Sequence, residues 1–435
     1  YRGQQDVTWD NQDRRLIATL VASSRRFPPI NKVQPKIRSR MAKFLKNRFQ
    51  PQVSPGGHDI EDKLDARATQ HALEYLWRKA RIESKYREAL VWAAMTNHGY
   101  WWFHWDSTVV GRVSIPDELT GEPPIAEAEL GDIRIEVSGP FEVLVADPGI
   151  TFIGDQPKIM RVKTRSVAEL RARYPQGVYV KADIDADQSL HFERQLATLN
   201  SKGVGGFGGL DSHQTKEGNP THTLVKELFC RPSPTYPKGQ YLVVAGGVLL
   251  KRQDELPHQF WDYANPYPCT DFVDILQIGQ YWGTTLIEQL IGPQREYNKL
   301  RDKLSRHLAA MTHGKLMVAK QHKIAHGAFT DDAGEIMEYV APPNIPPPQI
   351  CPPPQIVADL WRALERIDQE IDTISMIYPE AEGRIGAATS GFQTNLLQEA
   401  TDAIHAPDVR AHELSVEEAA YKLRRMMKQG YTIPR

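Results

Sequence analysis

Apolar positions recur at helical spacing in two central stretches. From Gly292-Pro293 onward they fall at Tyr297, Leu300, Leu304, Leu308 and Met311. Steps of three and four keep these on one face of a helix. Pro293 suits a first helical position, where its missing N–H costs nothing, and Gly314 suits a stop. A second stripe runs through Leu360, Leu364, Ile367, Ile371 and Ile374. The shared stepping predicts two helices that pack along their length, against each other or against copies of themselves. Their outward faces differ: the first carries Arg295, Lys299, Arg301, Lys303 and Arg306, the second Asp359, Glu365, Asp368, Glu370 and Asp372 against Arg362 and Arg366. Read alone, this is a helical hairpin with solvated charged faces.

Upstream, residues 10–26 predict a short helix with Leu16, Ile17, Leu20 and Val21 on one side, ended by Phe27-Pro28-Pro29. A basic amphipathic helix follows, with Ile37, Met41, Phe44 and Leu45 inward. Helical periodicity then extends from Ile60 to about Thr96, and Gly99 closes it. The aromatic run Tyr100 to Trp105 predicts a buried strand. Alternating patterns predict strands over 109–115, 133–137, 141–146, 158–165, 224–229 and 241–250, the last turning at Gly246-Gly247. Ser166 to Glu169 has capping-box spacing. The glycine-rich stretch 200–222 reads as a mobile loop. Between the two central helices, Lys315–Ala319 and Ile336–Val340 are expected to pair, followed by a stiff connector of prolines from Pro342 to Pro354. A last helix spans 392–429 with an interruption at Pro407.

The chain has 435 residues, 41% hydrophobic and 25% charged, an ordinary globular composition with room for two or three domains. Its net charge of -1 names no partner. The distribution does: between Asp13 and Asp59 there is no acid, while basic residues are dense, which fits an anionic partner or one side of a subunit contact. Cys230, Cys269 and Cys351 lie far apart, which argues against a disulfide framework or a zinc site and fits a reducing compartment. No apolar run reaches the length of a membrane span and no signal peptide is visible; the chain begins at Tyr1 rather than Met, which leaves room for residues upstream.

Chemical motifs fail in detail. The glycines at 203–209 lack the Lys-Ser/Thr of a phosphate loop. Asp183, Asp185 and Asp187 open like a calcium loop, but Gln188 and Arg194 stand where glycine and glutamate are needed. His322 and His326 enclose Lys323 instead of the glutamate of a zinc-protease helix. No nucleophile elbow or activated thiolate is present. No catalytic residue, metal ligand or cofactor is assigned. The alternative reading is a metal-dependent nuclease, with scattered carboxylates assembled in space and a basic N-terminal region holding DNA.

The order of features resembles the portal (head-to-tail connector) proteins of tailed double-stranded DNA bacteriophages. The resemblance runs from Tyr1-Arg2-Gly3 and Trp9 through the basic helix and the aromatic run to Trp105-Asp106. It continues through Pro140-Phe141-Glu142 and Asp147-Pro148. It is strongest at Trp282-Gly283, Gly292-Pro293-Gln294 and Tyr297-Asn298, and ends at Ser390-Gly391. Each motif is weak alone; their order over nearly the whole chain carries the likeness.

The resemblance implies an α+β, portal-like fold. Residues 1–280 would form a mixed α/β wing, 281–312 and 355–377 long stem helices, and 313–354 a small α/β clip. Residues 378–391 would be a tunnel loop, and 392–435 a C-terminal wing helix leading to a short or truncated crown. It implies a structural, non-enzymatic subunit of a dodecameric ring at the capsid vertex of the virion, made in the host bacterial cytoplasm. The ring would pass double-stranded DNA during packaging and ejection. Its partners would be the terminase packaging motor, a head-completion or tail adaptor, and capsid and scaffolding proteins. Twelve helices at ~9 Å spacing give a ring about 34 Å across, and an opening of about 24 Å after one helix diameter is removed. An acidic inner helix would repel the DNA backbone where Lys and Arg would grip it. Channel-lining residues are then Asp368, Asp372, Glu380, Glu382, Arg384, Ile385, Ala387 and Ala388. Arg38, Arg40, Lys43 and Lys46 are expected to meet acidic surface of a neighbouring subunit or the capsid.

Overall fold

The computed structural model describes residues 7–10, 15–18, 29–46, 49–107, 109–114, 125–129, 131–182, 221–312, 315–317, 349–351, 358–377 and 391–431. The fold is mixed α/β, with seven α-helices and only antiparallel strand pairing among these residues. The chain divides into two compact units. One is built mainly from Lys32–Leu290 and Ile374–Arg435, the other from Gly3–Asn31 and Ile291–Thr373.

The larger unit is organised around strand β3 (His98–Asp106), flanked by β6 (Asp132–Ser138) and β12 (Cys269–Val273). Side chains alternate across a strand, and here both faces are buried. Trp101 and Phe103 join a core with helices α1 (Val33–Lys46), α2 (Ile60–Lys79), α3 (Ile82–Thr96) and α7 (Gly391–Gly430). Tyr100 and Trp102 join a second core. That core includes a five-stranded sheet in the order β11 (Val248–Gln253), β10 (Gln240–Ala245), β9 (His222–Cys230), β8 (Lys158–Ser166) and β7 (Val143–Val145). Two-sided burial is why the run is continuously aromatic instead of alternating with polar residues. After β8, the Ser166 hydroxyl accepts from Ala168 N and starts the short helix α4 (Val167–Arg173), as its spacing predicts.

Several boundaries differ from the sequence reading. The helix expected over 60–96 is two helices, because Arg81 turns left-handed (φ 51°) between them; no glycine or asparagine marks that turn. The strand expected from Phe141 to Ala146 begins as a 3-10 turn at Pro140–Glu142. Helix α7 continues through Pro407 without a break.

In the smaller unit, strand β1 (Val7–Asp10) pairs with β2 (Arg15–Ala18), where a helix was expected over 10–26. Val7, Thr8, Trp9 and Ile17 are β-branched or aromatic, and strand preference wins locally. Helix α5 (Leu286–Thr312) starts before the expected Pro293, in the larger unit, and encloses it. Thr285 explains the earlier start: its hydroxyl accepts from Glu288 N at 3.3 Å, in a Thr-x-x-Glu capping pattern. Helix α6 (Ala358–Ser375) buries Ile367 and Ile371 of the expected stripe. Between α5 and α6, β13 (Lys315–Met317) pairs with β14 (Gln349–Cys351) among the described residues; the expected partner Ile336–Val340 lies outside them, as does the stretch 200–220.

Candidate functional site

The motif segments converge where the larger unit leads into α5. Asn97, at the end of α3, is left-handed (φ 71°). Its carbonyl accepts from Asp274 N and its side-chain oxygen from Ile275 N, both at 3.0 Å. Gly283 lies against the Ile275 carbonyl and the Asn97 amide so closely that a Cβ would overlap both. That is the local requirement for glycine after Trp282. Tyr281 N donates to Pro148 O, and its hydroxyl meets that of Tyr100, both at 2.8 Å. The Asp147-Pro148 turn is itself held by Gln156, whose amide donates to Asp147 O at 2.7 Å and to Ile150 O at 3.0 Å.

His98 stacks on Tyr281 with ring centroids 4.6 Å apart, and its Nε2–H donates to the Tyr281 carbonyl at 2.8 Å. Burial pushes its pKa down to about 4. It is therefore neutral near pH 7, and its 3.9 Å approach to Asp271 is no ion pair. Burial, with Glu418 adding, raises the Asp271 carboxyl to about 7. Lys422 is fully buried nearby and donates to Cys269 O and Glu418, each at 2.6 Å. Among the described residues no group of three or more His, Cys, Asp or Glu is placed to hold a metal ion.

The smaller unit contains the other strong motif. Gln294 and Asn298, one turn apart on α5, are 2% and 4% exposed. The Gln294 amide donates to Ile30 O at 2.8 Å, and Ile30 N donates to Asn298 Oδ1 at 3.1 Å. Two side-chain amides thus clamp one backbone residue as a strand partner would.

Helix α1 bears the predicted assembly cations, and most of their charge is used inside the chain. Arg40 Nη1 lies 2.7 Å from Asp274, with both side chains buried, and Nη2 lies 2.9 Å from Asp408 on α7. Lys46 reaches Asp402 at 3.1 Å, and Lys43 the same carboxylate at 3.9 Å. Lys36, which the sequence reading did not single out, donates to Ile377 O at 2.9 Å. Arg38 alone of the four predicted residues is exposed and has no partner recorded among the described residues. Arg40 is thus buried and paired within the chain, and the acids that meet these cations lie on α7 and after β12. Lys36, Arg40 and Lys43 step by four and three on the same stripe as Ile37 and Phe44, a signal of inward cations that the sequence does carry.

Helix α6 carries the acidic excess read from the sequence, with Arg362 and Arg366 its only basic residues. Asp368 and Asp372 are half-buried and engaged. The exposed charges are Asp359, Arg362, Glu365, Arg366 and Glu370, and both arginines approach acids one turn away, at 3.8 and 3.4 Å. Glu380, Glu382, Arg384, Ile385, Ala387 and Ala388 lie outside the described residues.

These motif residues direct their polar groups to their own backbone, as a scaffold does. Comparison with protein families matches residues 214–435 to the phage P22-like portal protein family. That stretch is just over half of the chain and contains the Trp282-Gly283, Gly292-Pro293-Gln294 and Tyr297-Asn298 motifs. The chain belongs to this family, which is structural rather than enzymatic. No curated protein matches the sequence significantly. Among the described residues no helix is long and apolar enough to cross a membrane.

Proposed function

We propose that this chain is the repeating subunit of a dodecameric portal ring at the capsid vertex. In this reading α5 and α6 form the stem, the β13–β14 insert belongs to the clip, and 378–391 is the tunnel loop. The ring passes the genome during packaging and ejection and docks the terminase motor, the tail adaptor, and capsid and scaffolding proteins. One observation carries the reading: in a chain of the portal family, two long amphipathic helices bracket a small β-paired insert. The paired charges on α6 refine the channel argument. DNA affinity grows with each free cation that replaces counterions. Arginines already matched to Asp359 and Glu370 offer little grip, and the remaining acids leave the helix net negative, which favours sliding. Arg38 remains the basic residue of α1 suited to a neighbouring subunit or capsid. Mass photometry with negative-stain imaging tests the reading: rings with a central opening are expected, and a chain that stays monomeric at micromolar concentration overturns it.

A further inference from the structure

Helix α7 has 40 residues and is held in two different ways along its length. From Val416 onward it is anchored by apolar burial, with Val416, Ala419, Leu423, Met426 and Met427 all in the core. Between residues 402 and 415 only His405 and His412 are buried. This half is held by polar contacts: Lys46 to Asp402, Arg40 to Asp408, and His412 between Tyr86 and the Val273 carbonyl. Pro407 falls between Asp402 and Asp408 inside the helix. It has no N–H for the Ala403 carbonyl, so the helix is weakest between its two ion-paired residues. The cluster is also incompletely satisfied. Lys43 Nζ, Asp274 Oδ2 and His405 Nε2 are buried without a hydrogen bond among the described residues. Partly satisfied polar networks are poor at fixing one state.

We infer that α1 is a releasable strap on α7. Arg40 and Lys46 latch the 402–412 arm, Pro407 is its hinge, and the arm opens as a unit separate from the apolar half. Segments with few buried apolar contacts open at lower free energy than the core. The same helix also holds the segment just after α6, where Lys36 donates to the Ile377 carbonyl. The inference stands whether or not residues 378–390 line a channel.

Hydrogen exchange on the full chain in its native assembly tests it. Asp402→Asn/Asp408→Asn cuts the latch while leaving the buried Arg40–Asp274 pair intact. Exchange at residues 399–411 should accelerate roughly tenfold, the effect of losing two part-exposed charged bonds, while 416–430 is unchanged. Pro407→Ala restores the missing donor and should slow exchange at 399–407 several-fold. Equal acceleration of both halves in the double variant, no acceleration at 399–411, or no slowing by Pro407→Ala overturns the proposal.

Discussion

Replacing Arg40 by Met should destabilise the chain in a way that depends on pH, and the structure sets both size and sign. Arg40 and Asp274 are 7% and 3% exposed at a 2.7 Å contact. Removing one partner of a buried pair costs about 3–5 kcal/mol. Asp408 is half-exposed and adds at most ~1 kcal/mol. Burial already raises the Asp274 carboxyl above its ordinary value despite the Arg40 charge; without Arg40 it rises further and the group protonates. Protonating a carboxyl of ordinary pKa ~3.9 at pH 7 costs about 4 kcal/mol, at ~1.4 kcal/mol per unit. That caps the loss at pH 7, and the cap falls to about 1.5 kcal/mol at pH 5. The sign follows from linkage: the variant's folded state binds the proton that its unfolded state releases, so its deficit shrinks as pH falls. Urea unfolding at pH 5 and pH 7, at fixed chain concentration, reads this directly. Arg40→Met/Asp274→Asn should recover to within ~1 kcal/mol of the parent at pH 7, since neutralising a buried pair is nearly free. A deficit equal at both pH values, or a double variant as weak as the single, would refute the electrostatic account. Arg40 would then act through packing over the Phe44 ring, 5.5 Å away.

Burial holds His98, His405 and His412 down to about 4. Their unfolded forms take up protons first, so stability should decline as pH falls from about 6.5 to 4, by up to ~3 kcal/mol per group; His405→Leu should lessen the decline in urea midpoints. Asp271, raised to about 7, works the other way and gains stability as pH falls from about 7 to 4. Gly283→Ala drives a Cβ into the Ile275 carbonyl and should cost about 1–3 kcal/mol, seen as a lower thermal midpoint. Ala387→Trp should leave rings intact by negative stain yet reduce the DNA packaged per head; normal packaging would count against the tunnel-loop reading.

The sheets and the two central helices were legible because each is a local period: alternation around the aromatic run, and three-four stepping at Leu304 or Ile371. What was not legible depends on partners far along the chain or on one local signal outweighing another. Thr285 set the start of α5, yet Gly292-Pro293 is the louder helix-start pattern, and a proline tolerated inside a packed helix looks the same in sequence as one at its beginning. The N-terminal hairpin was hidden because Leu16, Ile17 and Leu20 satisfy a helical stripe as well as a strand. The destination of Arg40 was hidden more deeply. Its partners, Asp274 and Asp408, are 234 and 368 positions away, and only the fold brings them to it.

The motifs that carried the family resemblance are fasteners, and this bears on how such a chain can work. Gln294 and Asn298 replace a strand partner for Ile30. Gly283 exists for a close backbone approach, and Asn97 accepts from the backbone N–H groups of Asp274 and Ile275. Gln294 and Asn298 spend their side-chain amides on a distant segment of main chain. Side-chain amides suit this task because one group both donates and accepts, and neither role changes with pH. The carboxylates that meet the cations of α1 come instead from α7 and from just after β12, at Asp402, Asp408 and Asp274. The amide clamp on Ile30 and the ionic contacts of α1 are therefore chemically distinct. The conduit proposed above would use that division: a frame that keeps its geometry while the genome moves, and a limited set of ionic contacts through which one element can yield without loosening the rest.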